Sequence, residues 1–110
     1  MPRANMMTES YRDHLLERLK DTEEAAQYLS ACLEDSDPRV FLMALRDVAD
    51  SRGGIGGLSR DSKLNRESLY RMLSKSGNPS LASLASVLSV FGLRLAVQSA
   101  SPKRRRRRAA

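Results

Sequence analysis

Residues 58 to 97 read LSRDSKLNRESLYRMLSKSGNPSLASLASVLSVFGLRLAV, and this stretch decides the fold. Leu58 to Ser62 suits a short helix, and Lys63 with Leu64 a turn. Asn65 is a good N-cap for a helix running from Arg66 to about Ser74. Gly77 predicts a left-handed stop and Pro79 forbids continuation. Ser80 caps a further helix, in which Leu81, Leu84, Ala85, Leu88 and Phe91 share one face before Gly92 ends it. Leu93 to Val97 alternates, with Leu93, Leu95 and Val97 on one side and Arg94 and Ala96 on the other. Period two over five residues predicts a short strand.

Within that stretch the helix from Arg66 carries the chemistry. Leu69, Met72 and Leu73 are placed to pack inward with Leu64. Arg66, Glu67, Tyr70, Arg71 and Ser74 fall on the opposite side. Arginine grips the O6 and N7 of guanine with two parallel bonds, and glutamate accepts from the cytosine amine. A tyrosine there reaches a phosphate or a thymine methyl. A solvated charged helix face would have the same composition. What favours DNA reading is the preceding short helix and the three-residue turn, the spacing of a helix-turn-helix unit over residues 58 to 74. Lys63, Asn65 and Lys75 flank the reading face and complete the candidate contacts.

Outward from the unit, the upstream sequence supplies helices to pack on it. Asp37-Pro38 is a helix start, because proline's missing N–H costs nothing at the first position. Val40, Phe41, Ala44, Leu45, Val48 and Ala49 then form an apolar stripe that Arg52-Gly53-Gly54 ends, and Ile55-Gly56-Gly57 leads flexibly into the next helix. Asp21 followed by Glu24 resembles a capping box for a helix to about Leu33, with Ala25, Tyr28, Leu29, Cys32 and Leu33 on one face. Leu15, Leu16 and Leu19 suggest a short helix or turn before it. Residues 1 to 10 and 99 to 110 carry little to bury and are expected to be disordered, flanking one helical domain over 11 to 98. The fold class is therefore all-α, about five helices plus a short C-terminal β-strand.

Charge is distributed unevenly along the 110 residues. The formal net charge is +6, and Lys103, Arg104, Arg105, Arg106, Arg107 and Arg108 account for it. Without those six, bases and acids balance at 13 each. Residues 8 to 37 hold nine acids against three bases, and residues 60 to 75 hold five bases against two acids. An acidic front with a basic middle and tail points to a polyanion for the last two. The tail is suited to phosphates or a minor groove as a tethered arm.

Other function classes find little support. The single Cys32 and single His14 leave no set of ligands for zinc and no base for Ser59, Ser62 or Ser68. Asp13, Glu17, Glu23 and Glu24 lie on a charged helix surface with no apolar pocket to tune them. No enzyme activity and no cofactor are expected. Neither a membrane span nor a signal peptide is legible, so a reducing cytoplasm is the expected location.

Asn65-Arg66-Glu67-Ser68-Leu69-Tyr70, Ser76-Gly77-Asn78-Pro79-Ser80 and Phe91-Gly92-Leu93-Arg94-Leu95 together resemble a known family. The stretch from Leu58 to Val97 is similar to phage-repressor (XRE/Cro-like) helix-turn-helix domains. More narrowly, residues 11 to 98 resemble addiction-module antidote proteins, the antitoxins encoded beside RelE/ParE-type toxins. That resemblance implies a bacterial chain that binds such a toxin and represses its own operon on double-stranded operator DNA. A stand-alone repressor without a toxin is the alternative, and an interaction module that has lost DNA binding a third. A homodimer on two half-sites is expected, with Leu93 to Val97 as its seam. The chain departs from the family in having Lys63 where glycine is usual and Ser59 where alanine is frequent. If φ is positive at the turn, lysine costs roughly 1 kcal/mol there. Ser59 is expected to bond back to its own helix. The segment from Gly53 to Gly57 lacks the usual threonine or serine cap.

Overall fold

A computed structural model describes residues 2–100. Six helices run in the order α1 (Pro2–Leu19), α2 (Thr22–Leu33), α3 (Pro38–Asp50), α4 (Gly54–Ser62), α5 (Arg66–Met72) and α6 (Leu81–Val90). The four starts that carry a local signal are built as that signal requires. The Asp21 carboxylate accepts from the Glu23 and Glu24 amides, and Asp37 from the Arg39 amide with Pro38 at the first position. Asn65 accepts from Ser68, and Ser80 from Ser83. Each cap satisfies amides that have no partner inside the helix.

The apolar stripes converge on one core. Leu19, Ala25, Leu29, Leu45, Val48, Ala49, Leu69, Leu73, Val87 and Phe91 are all buried in it. α2 packs against α3, and α1 touches both. α4 sits between α3, α5 and α6. Arg52 locks the ends together. Its Nη1 donates to the Phe91 carbonyl at 2.8 Å, and its Nη2 to the Leu19 carbonyl at 3.0 Å. One guanidinium thus serves carbonyls left over at the C-terminal ends of α1 and α6, where a positive charge also suits the helix dipoles. Among the described residues no helix is long and apolar enough to cross a membrane.

Several expectations need correction. The predicted strand at Leu93–Val97 is absent: no strand forms among the described residues. An alternating pattern marks a segment fit for a sheet, but a strand exists only when another strand pairs with it, and the described residues offer none. α4 begins at Gly54 rather than Leu58, because Ile55 and Gly57 are buried and that packing outweighs the poor helix propensity of glycine. Gly77 is not left-handed. A Cβ there would collide with the Met72 carbonyl oxygen, so glycine is needed for close approach. Gly92, in contrast, ends α6 at φ 81°.

Candidate nucleic-acid interface

The α4–α5 pair is held by its turn. Lys63 closes α4 with φ 65° and ψ 16°, the left-handed region, and its amide donates to the Ser59 carbonyl at 3.0 Å. The Ser59 hydroxyl does not return to its own helix as expected. It crosses the turn and donates to the Leu64 carbonyl at 2.6 Å. The Leu64 amide donates to Ser62 Oγ at 3.2 Å, and the Ser68 amide to Asn65 Oδ1 at 2.7 Å. The residue that departs from the usual alanine therefore ties the turn down. α4 itself starts at Gly53, φ 96°, with no side-chain cap.

Beneath α5, Leu69, Met72 and Leu73 are buried. Above it, Arg66, Glu67 and Arg71 are exposed and Tyr70 is 48% exposed. These four share a surface, as the sequence predicts for them. Ser74 does not join it. α5 ends at Met72, and the Ser74 hydroxyl donates to the Arg71 carbonyl at 2.7 Å, completing the last turn. Asn65 spends its side-chain oxygen on the cap. Lys75 is exposed, and it borders a hollow with Tyr28, Val40, Met43 and Asp47 on the α2–α3 side. Lys63 is exposed on the turn. Lys103, Arg104, Arg105, Arg106, Arg107 and Arg108 lie outside the described residues.

Two contacts set how the face is presented. The Arg66 guanidinium lies over Gly56, where a Cβ would come within 3.3 Å of its Nη2. Arg66 therefore folds back along α4, and glycine at 56 leaves it room. Tyr70 carries a guanidinium on its ring: Arg46 of α3 sits 5.3 Å from the ring centroid, a cation–π contact. Arg46 Nε is held by Asp50 Oδ1 at 3.3 Å. Arg12 of α1 then bridges Asp50 at 2.8 Å and Asp47 at 3.0 Å. The Tyr28 hydroxyl donates to Asp47 at 2.8 Å. Burial, aided by the Asp47 carboxylate, pushes the Tyr28 phenol well above its ordinary range, so it stays a donor. A continuous polar chain thus runs from α1 and α2 through α3 to the exposed face of α5.

Arg46 is the residue that the sequence does not reveal. Its pairing with Asp50 at i, i+4 is legible as a helix-surface ion pair. Its position over Tyr70 depends on how α3 and α5 cross, and no local pattern encodes that.

A family described as "probable addiction module antidote protein" matches residues 10–99. This chain belongs to that family. The antidote match covers the helical body from α1 through the segment after α6. An uncharacterized protein of Haemophilus influenzae is 36% identical to this antidote-family chain over 93 residues, covering 84% of this chain and 95% of the relative. No solved structure matches.

Proposed function

We propose that this chain is the antidote half of a toxin–antitoxin module, neutralising a RelE/ParE-type toxin and repressing its own operon by reading DNA with α5. One observation carries the reading: the antidote-family match spans residues 10–99, taking in both the acidic helices and the α4–α5 pair. Two surfaces of opposite sign then have two partners. The exposed face of Arg66, Glu67, Tyr70 and Arg71 has the donors and acceptor needed to read base edges. Lys63 and Lys75 flank it as phosphate contacts, which position without specifying. Glu9, Asp13 and Glu17 are exposed on α1, on elements other than the reading helix, and suit a basic toxin. Tail residues Lys103 to Arg108 add affinity for phosphates. Two copies acting together match two half-sites about one helical turn apart.

The toxin is sought in the neighbouring reading frame, as a basic chain on the order of one domain. Its expression alone arrests growth, and this chain restores it. The triple variant Glu9→Lys, Asp13→Lys, Glu17→Lys leaves Leu15 and Leu19 in the core, keeps DNA binding and loses most of the rescue. Full rescue by that variant places the toxin contact elsewhere. Absence of a toxic neighbour leaves a stand-alone regulator.

A further inference from the structure

We infer that residues 93–97 form the seam of a two-fold homodimer, pairing antiparallel with the same residues of a second copy and centred on Leu95. The Leu93 amide still bonds to the Leu88 carbonyl at 2.8 Å. Beyond it, among the described residues, no backbone hydrogen bond engages residues 94–100. A run of free amides and carbonyls is a template for another strand. Its side chains need cover as well. Leu93 is half-buried, Leu95 is 41% exposed and Val97 is fully exposed, so the apolar side of the segment becomes progressively bare as it leaves the body. Beside it runs a hollow of about 360 Å³ between α2, α3 and α6, lined by Leu29, Leu33, Phe41 and Leu88. Leu33 at its rim is 59% exposed.

The pattern names a second copy as the occupant because it is self-complementary. Centred on Leu95, antiparallel pairing sets Leu95 against Leu95 and Leu93 against Val97, so all three apolar residues meet apolar partners. Arg94 then faces Ala96 and not another Arg94, which avoids opposed like charges. Centring on Arg94 would oppose the two guanidiniums. A shift of one residue in the pairing would set apolar against polar positions, because side chains alternate faces. In the chosen register Val97 of each copy lies beside Leu93 of the other, at the edge of the hollow. This seam supplies the two-fold that the proposed half-sites require, but its test uses neither DNA nor toxin and so stands apart from that reading.

The full-length chain is tested by sedimentation and by disulfide trapping in a Cys32→Ser background. Opposed residues of an antiparallel pair have Cα atoms about 4.5–5.5 Å apart, within disulfide range. Leu95→Cys therefore links to itself under mild oxidation. Two Val97→Cys residues lie about 13 Å apart along the strands at ~3.3 Å per residue and do not link. Leu93→Cys combined with Val97→Cys restores the link. Val97→Asp leaves the monomer folded, since Val97 touches little in its own chain, and raises the dimer dissociation constant about tenfold or more. A wild-type chain that stays monomeric at high concentration overturns the seam. So does a dimer indifferent to Val97→Asp that Leu95→Cys fails to trap, or one in which Val97→Cys links to itself as fast as Leu95→Cys.

Discussion

Lys63 occupies a position built for glycine. Among the described residues it alone, glycines aside, has a positive φ, at 65°. Left-handed backbone costs a side-chain-bearing residue roughly 1–2 kcal/mol, and glycine gives back about half of that gain in chain entropy. Lys63→Gly should therefore stabilise the protein by roughly 0.5–1 kcal/mol, raising the thermal midpoint by about 2–8 °C. Calorimetry checks it, and an unchanged or lower midpoint would mean that the turn is not strained. If α5 reads DNA as proposed, the exposed amine of Lys63 beside it gives a reason to retain the strain, since glycine offers no charge to a phosphate. The same variant should bind DNA more weakly while becoming more stable.

Elements differ in how much of their structure was legible in the sequence. The starts of α2, α3, α5 and α6 were legible because Asp21, Asp37, Asn65 and Ser80 cap amides two or three residues away. The exposed face of α5 followed from its 3.6-residue period, except at Ser74, which falls beyond a helix that ends at Met72. The start of α4 was hidden, because burial of Ile55 and Gly57 decides it and their neighbours in sequence do not. The strand is absent for a related reason: its alternating pattern is local, but no strand among the described residues pairs with it. Arg52 marks the limit most sharply. Its place just after α3 is legible locally, whereas its partners Leu19 and Phe91 lie 33 and 39 residues away. Hydrogen bonds from a charged donor contribute about 1.5–3 kcal/mol. Arg52→Ala, which leaves two carbonyls unserved, should cost about 2–3 kcal/mol and lower the denaturant midpoint without changing the slope. A loss below about 0.5 kcal/mol, the range of ordinary surface changes, would show that water replaces the clamp.

Over the whole molecule, charge is uneven: residues 8 to 37 hold nine acids against three bases, residues 60 to 75 five bases against two acids, and residues 103–108 six further bases. If that tail acts as a tethered cation cluster, each phosphate it neutralises adds about 0.9 to the slope of log affinity against log salt. Removing residues 103–110 should then reduce the slope by about 3–5 units. The ranking of operator variants should be unchanged, because phosphate contacts carry no sequence information. Parallel salt slopes for full-length and truncated chains would assign the tail to a partner other than DNA.

If α5 reads sequence, its side chains set the base preference. Selection from a randomised duplex library, run on the parent chain and on Arg66→Ala, Glu67→Ala and Lys75→Ala, tests it most directly. Arg66→Ala and Glu67→Ala should each change the preference at single base positions by about 1–3 kcal/mol, while Lys75→Ala should weaken all sequences alike. Retention of the parent's preferred site at full strength by Arg66→Ala would contradict it.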